Sequence, residues 1–132
     1  MRLATATVVL AVATAPAFAA DCAKAVTQMD MNACAAADFQ AADRRLNAVY
    51  NEIAGRLRDR DDTRRLLVAS EAAWIKFRDS ECMFATSEAR DGSIYPMLML
   101  HCKSGMTRDR TEQLQVYLKC EEGDLSCPVP GR

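Results

Sequence analysis

Six cysteines stand at positions 22, 34, 82, 102, 120 and 127 of a 132-residue chain. Such an even set is kept reduced in the cytosol and oxidises to disulfides outside it, so what the chain can fold into depends first on export. The N-terminus addresses that point. Met1-Arg2 is followed by an uncharged apolar run from Leu3 to Ala15, then by Pro16-Ala17-Phe18-Ala19-Ala20. One early positive charge, a short apolar stretch and small residues at A-x-A spacing are the marks of a secretory signal peptide. Residues 1–19 are assigned to it, with cleavage after Ala19 and Ala20 as the neighbouring alternative. The run is too short and alanine-rich to make a good membrane span, and Asp21 stands where lipidation of Cys22 needs a small residue. The expected product is periplasmic or secreted, with no membrane anchor.

In an exported chain Cys22, Cys34, Cys82, Cys102, Cys120 and Cys127 read as three disulfides, although six cysteines formally allow many pairings. Pairing between neighbours along the chain is expected: Cys22 with Cys34, Cys82 with Cys102, Cys120 with Cys127. Closing a loop of about 20 residues removes roughly 3 kcal/mol of unfolded-state entropy. That is a large share of the stability of one small domain of about 113 residues. There is no C-x-x-C pair for thioredoxin-like redox work. Zinc-ligand spacing is absent as well, and the single histidine, His101, cannot supply a cluster. Neither a metal nor a cofactor is expected.

The whole chain carries 17 basic and 18 acidic side chains, and loss of Arg2 with the leader takes the net charge to about −2. A near-balanced chain lacks the electrostatic footprint of a nucleic-acid or anionic-membrane binder.

Hydrophobic periodicity gives an all-α fold. Asp30 to Leu57 contains no proline, and Phe39, Leu46, Tyr50, Ile53 and Leu57 recur at the three- and four-residue spacing of one helix face, with Asp43 and Asn47 on the same stripe. Residues 58–63 are polar and form a connection, in which Asp62 or Thr63 can cap a second helix from Arg64 to Thr86. A loop follows over 86–96, with Asp91-Gly92 as its turn signal. A short helix, Met97 to Lys103, is expected to stop at Ser104-Gly105. Thr107 then caps a last helix carrying Leu114, Tyr117 and Leu118. The expected domain is a small disulfide-stapled one: a long antiparallel helix pair, plus two shorter helices. Residues 119–132, with Gly123, Pro128, Pro130 and Gly131, read as an irregular tail held by Cys127.

Within the second helix, advancing about 100° per residue from Trp74 places Leu67, Ser70, Glu71, Phe77, Arg78 and Glu81 on the tryptophan's face. Lys76 and Asp79 point elsewhere. Two carboxylates beside an arginine invite an acid–base reading, but no nucleophile or electrophile accompanies them, and no catalytic residue is assigned. The structural alternative is a clamp at the helix seam. The Arg78 stem packs on Trp74 while Glu71 and Glu81 hold its guanidinium, and Asp43 and Asn47 complete the hydrogen bonds. Met29-x-Met31 and Met97-x-Met99-x-His101 carry soft ligands of the copper(I) type. Only Met97 and His101 share a helix face, however, so core packing is the plainer role. The serines lie in no G-x-S-x-G elbow, and no phosphate-cradling glycine loop is present. What remains is the loop between Cys82 and Cys102. It offers Glu88, Asp91, Ser93 and Tyr95 as partner-binding candidates on a segment pinned at both ends.

D-R-R-L-N-A-V-Y (Asp43–Tyr50), A-W-I-K-F-R-D-S-E-C (Ala73–Cys82), Gly92-Ser93, Cys102 and T-R-D-R-T-E-Q-L (Thr107–Leu114) together resemble the LprI-type lysozyme-inhibitor N-terminal domain. The likeness runs from Cys22 to Leu118, so residues 20–118 are expected to form that domain. It implies a small helical, disulfide-bonded export domain and inhibition of lysozyme; with no catalytic residue assigned, the expected protein is a non-enzymatic binder that covers the enzyme's cleft. Two departures stand out. The namesake type is a lipoprotein, whereas Asp21 argues for a soluble protein, and Cys120 and Cys127 fall beyond the shared region. An envelope accessory protein that docks on another exported protein is the alternative, and a copper(I)-binding protein a lesser one.

Overall fold

A computed structural model describes residues 21–131; the leader assigned to 1–19 lies outside the described residues. Three helices run through them: α1 (Gln28–Arg56), α2 (Asp61–Ala85) and α3 (Tyr95–Tyr117), with 3-10 turns at Cys22–Lys24 and Ser87–Ala89. The all-α, disulfide-stapled class expected from the sequence is the one found.

Local chemistry explains where each helix begins. Thr27 caps α1: its Oγ1 accepts from the Asp30 backbone N–H at 3.1 Å and donates to Asp30 Oδ2 at 2.6 Å, a variant of the capping box. Helix α1 therefore opens before Asp30. In α2 neither Asp62 nor Thr63 caps, because both already lie inside the helix. Asp61 and Asp62 instead sit in the first turn, where the helix dipole favours negative charge, each ion-paired three residues on with Arg64 and Arg65. Pro96 occupies the first turn of α3, where its missing N–H has no intrahelical partner to lose.

The two short helices expected at the C-terminal end are one continuous helix, and Ser104-Gly105 does not stop it. Ser104, Thr107, Thr111 and Leu114 recur at three and four residues and are all buried. They face the buried stripe Ala35, Ala42, Leu46 and Ile53 of α1. Small side chains on both sides allow close helix approach, and that packing outweighs the weak helix preference of Ser and Gly. Thr107 is thus a buried mid-helix residue and no cap.

The dominant packing also differs from expectation. Helices α1 and α2 are consecutive and antiparallel, but the most extensive interface joins α1 to α3. Gln28 meets Met97, Asp38 meets Arg108 and Arg56 meets Leu118, so these two helices run parallel. Helix α2 presents bulky Trp74 and Arg78 inward and leaves much of its surface uncovered. Phe77, assigned to the inner face on the helical wheel, is exposed.

Leu46, Ile53, Leu57, Leu114 and Val129 form the central cluster, with Tyr50, Leu67, Trp74 and Leu118 around it. Val129 belongs to the tail. Residues 119–131 contain no helix or strand, but they are held by more than the Cys120–Cys127 bridge, because Val129 plugs the end of the core. Arg56 Nη1 adds a hydrogen bond to the Leu118 carbonyl at 3.1 Å.

A Cβ added at Gly105 would meet no heavy atom within 4 Å. Gly105→Ala is therefore expected to raise stability by about 0.5–1 kcal/mol. Ser104→Leu, forced into a fully buried position of α3, is expected to lower it by about 1–3 kcal/mol. Urea unfolding of both variants checks the continuity of α3.

Candidate functional site

Two features carry the polar and exposed chemistry: a buried arginine between the helices, and a disulfide-pinned loop at one end of the bundle.

Arg78 is 6% exposed. Its guanidinium carbon lies 5.2 Å from the Phe39 ring centroid and 5.2 Å from that of Trp74, so the cation sits between two aromatic faces. Nη1 donates to Thr107 Oγ1 at 3.3 Å and Nε to Asp79 Oδ1 at 2.9 Å. Through this one side chain α2 touches Phe39 of α1 and Thr107 of α3.

The residues proposed for the clamp are only partly brought together. Trp74 and Arg78 stack, and Asp43 lies 3.8 Å from Arg78 Nη1, a loose ion pair. Asn47 is exposed and, among the described residues, donates only to Asp43, at 3.1 Å. Glu71 is buried but pairs with Arg110, whose Nε donates to Oε2 at 3.1 Å. Glu71 Oε1 is buried with no hydrogen-bond partner among the described residues. Glu81 is half-buried and makes no ion pair with any described residue. The carboxylate on Arg78 is instead its chain neighbour Asp79, which also receives Lys103 at 3.2 Å. A helical wheel separates residues 78 and 79 by about 100°, and only the length of the arginine side chain lets the two meet.

Sequence reasoning missed Phe39, Asp79, Lys103, Thr107 and Arg110. Arg110 also lies over the Trp74 ring at 5.9 Å. Thr107 and Arg110 stand in the T-R-D-R-T-E-Q-L block, so the family motif carried a signal that periodicity did not.

Burial raises the Asp79 carboxyl, but hydrogen bonds from Arg78 and Lys103 more than offset it, and its pKa ends below the usual carboxylate value. Asp38, which accepts both oxygens' worth of hydrogen bonding from Arg108 Nη2 at 2.5 and 2.6 Å, is lowered as well. A depressed carboxylate stabilises the fold above its unfolded pKa and loses that contribution as pH falls through the folded one.

At the other feature, Cys82–Cys102 ties the end of α2 to α3, and Cys22–Cys34 ties the N-terminal segment to α1. The loop over 86–96 opens with the Ser87–Ala89 turn. Asn32 Nδ2 donates to the Ser93 carbonyl at 3.1 Å, and Gly92 N–H donates to the Ala89 carbonyl at 2.9 Å. Glu88, Asp91 and Ser93 are exposed. Tyr95 is half-buried as the first residue of α3. Met97 accepts a weak hydrogen bond from Gln28 at 3.9 Å and so belongs to the α1–α3 seam. No group of three or more His, Cys, Asp or Glu among the described residues is placed to hold a metal. No helix among them is long and apolar enough to cross a membrane. A shallow groove of about 290 Å³ lies between α1 and α3, lined by Asp38, Arg45, Arg108 and Glu112.

A family model described as lysozyme inhibitor LprI matches residues 19–114, which includes Phe39, Trp74, Arg78, Thr107 and the pinned loop. The chain belongs to the LprI family. A relative from Rhizobium meliloti (strain 1021), an uncharacterized protein, is 37% identical over an alignment covering 77% of this chain and 81% of the relative. No solved structure matches. The Cys120–Cys127 bridge and Val129 lie beyond the part matched to LprI.

Two outcomes are expected. Arg78→Met keeps the stem but loses the stacked charge and its bonds, and lowers stability by about 1–3 kcal/mol in chemical denaturation. The wild-type melting temperature falls as pH drops below about 4, and Asp79→Asn shows a smaller fall over the same interval.

Proposed function

We propose that this LprI-family protein is an exported lysozyme inhibitor that works by steric occlusion, with the 86–96 loop as the contacting element. The family description is that of an inhibitor, and three disulfides are the chemistry of an oxidising compartment. One observation supports the choice of surface above the others. The loop is exposed at Glu88, Asp91 and Ser93, yet fixed on both flanks by Cys82–Cys102 and by the Asn32 hydrogen bond. A loop already held in place loses little conformational freedom on binding, and that is how preorganisation raises affinity. Glu88 and Asp91 would face a cationic partner, with Ser93 and Tyr95 beside them. The nearly balanced total charge gives little long-range steering, so the electrostatic contribution is local. Arg78 is too deeply buried to reach a partner and has no part in the contact.

A second reading is favoured by a separate observation. Helix α2 exposes Leu66, Phe77 and Phe84, which suits an accessory protein docking on another exported protein.

The inhibitory reading is tested with the purified mature protein in a cell-wall lysis assay over several lysozyme types. Inhibition is expected at micromolar excess and should be lost when residues 86–96 are replaced by a neutral linker of equal length. Absence of inhibition against every lysozyme rejects the function, and inhibition that survives the replacement rejects the surface. In the second case, stable capture of a periplasmic protein without lysozyme binding favours the accessory role.

A further inference from the structure

Helix α2 is long, runs along one side of the α1–α3 pair, and carries apolar side chains that its own fold does not cover. Leu66, Phe77 and Phe84 are 71%, 57% and 76% exposed. At about 100° per residue these three and Ala73 fall within roughly 40° of one another, on a flank whose centre lies about 80° from Trp74 and about 120° from Arg78. Ser80 and Ser70 complete the spacing, Ser70 at the α3 side of the seam, where its Oγ also accepts from Arg110 Nη2 at 3.2 Å. Leu66, Ser70, Ala73, Phe77, Ser80 and Phe84 alternate steps of four and three residues, the seam of a coiled coil.

We propose that this seam pairs with the same seam of a second copy, in an antiparallel and two-fold symmetric arrangement. The order of residue sizes carries the argument. Laid against its own reverse, the seam sets Leu66 opposite Phe84, Ser70 opposite Ser80, and Ala73 opposite Phe77. Every large ring meets either a small residue or the single leucine, and every pair recurs on the other side of the axis, as an isologous interface requires. Beside the seam, exposed Met83 falls near Ala69 of the other copy, which extends the apolar contact. No charged residue lies within the seam itself, in keeping with the depletion of charge at interface centres. The one like-charge approach is Lys76 with its own copy on the exposed flank, where salt screens it.

Area sets the strength. Leu66, Phe77, Met83 and Phe84 leave roughly 400–500 Å² of apolar surface per copy, within the range of single patches that mark interaction sites. Two such patches and their polar rim reach about the lower limit of specific interfaces, near 1,200 Å² in total. The dimer is therefore weak and concentration-dependent. Antiparallel pairing over a seam about 27 Å long sends the two disulfide-pinned loops to opposite ends of the assembly.

Sedimentation equilibrium of the mature protein between about 10 μM and 1 mM tests the pairing. The expected result is a mass rising from one chain toward two. Phe77→Glu and Phe84→Glu should each weaken association about tenfold or more. Both sites are exposed in the single copy, so helix content and the melting temperature of dilute protein should not change. Ala73→Phe separates a complementary seam from general stickiness: it should weaken the dimer by clashing with Phe77 of the other copy, whereas stickiness would strengthen it. A single-chain mass throughout, or a dimer indifferent to the glutamates or tightened by Ala73→Phe, overturns the proposal.

Discussion

The placement of Arg78 between the rings of Phe39 and Trp74 is the contact on which the three-helix arrangement depends. One guanidinium on α2 stacks against α1 and donates to a buried threonine of α3. Helices α1 and α3 close on each other through alanine, serine and threonine, which brings their backbones near but leaves little side-chain volume for a third helix to grip. Helix α2 is attached by a few large groups: Leu67 and Trp74 at the core, Arg78 and Asp79 at the seam, and Glu71 on Arg110. A buried cation is costly unless paired and hydrogen-bonded. Two aromatic faces, Asp79 and Thr107 meet that requirement here.

The disulfides act where this packing gives out. Cys82–Cys102 fixes the turn from α2 into α3, and Cys22–Cys34 fixes the entry into α1. Cys120–Cys127 shapes the segment that brings Val129 onto Ile53 and Leu57. A domain of this size buries too little for packing alone to hold its ends. Stapled ends are also rigid ends, and this links the stability of the fold to the proposed role of the 86–96 loop.

Much of this was legible in the sequence, and the rest fails for identifiable reasons. The spacing of Phe39, Leu46, Ile53 and Leu57 gave α1, and Trp74 with Arg78 gave the inner face of α2. Ser104-Gly105 reads as a helix stop, and the buried face that carries α3 through it, Ser104, Thr107, Thr111 and Leu114, is mostly polar, a stripe of hydroxyls that hydrophobic periodicity cannot register. Phe77 reads as an inner residue because a wheel treats every large apolar residue on a face as covered, whereas α2 is covered only along a narrow strip. Glu81 and Asn47 enter the expected clamp by angle alone. Angle alone excludes Asp79, although a long arginine reaches its own neighbour. Val129 escaped notice because a lone valine among prolines and glycines has no period at all. For the 86–96 loop, the sequence supplied its acidic residues and its two cysteines, while the Asn32 bond to Ser93 depends on a fold that brings residues 32 and 93 together.

Hydrogen exchange of the Arg78→Met protein, followed amide by amide with the disulfides intact, tests most directly whether Arg78 attaches α2 to the other two helices. The account predicts that residues 66–81 of α2 lose protection by a larger factor than the buried stripes of α1 and α3, which keep their small-residue contact. An equal loss across all three helices, or no loss in α2, would contradict it.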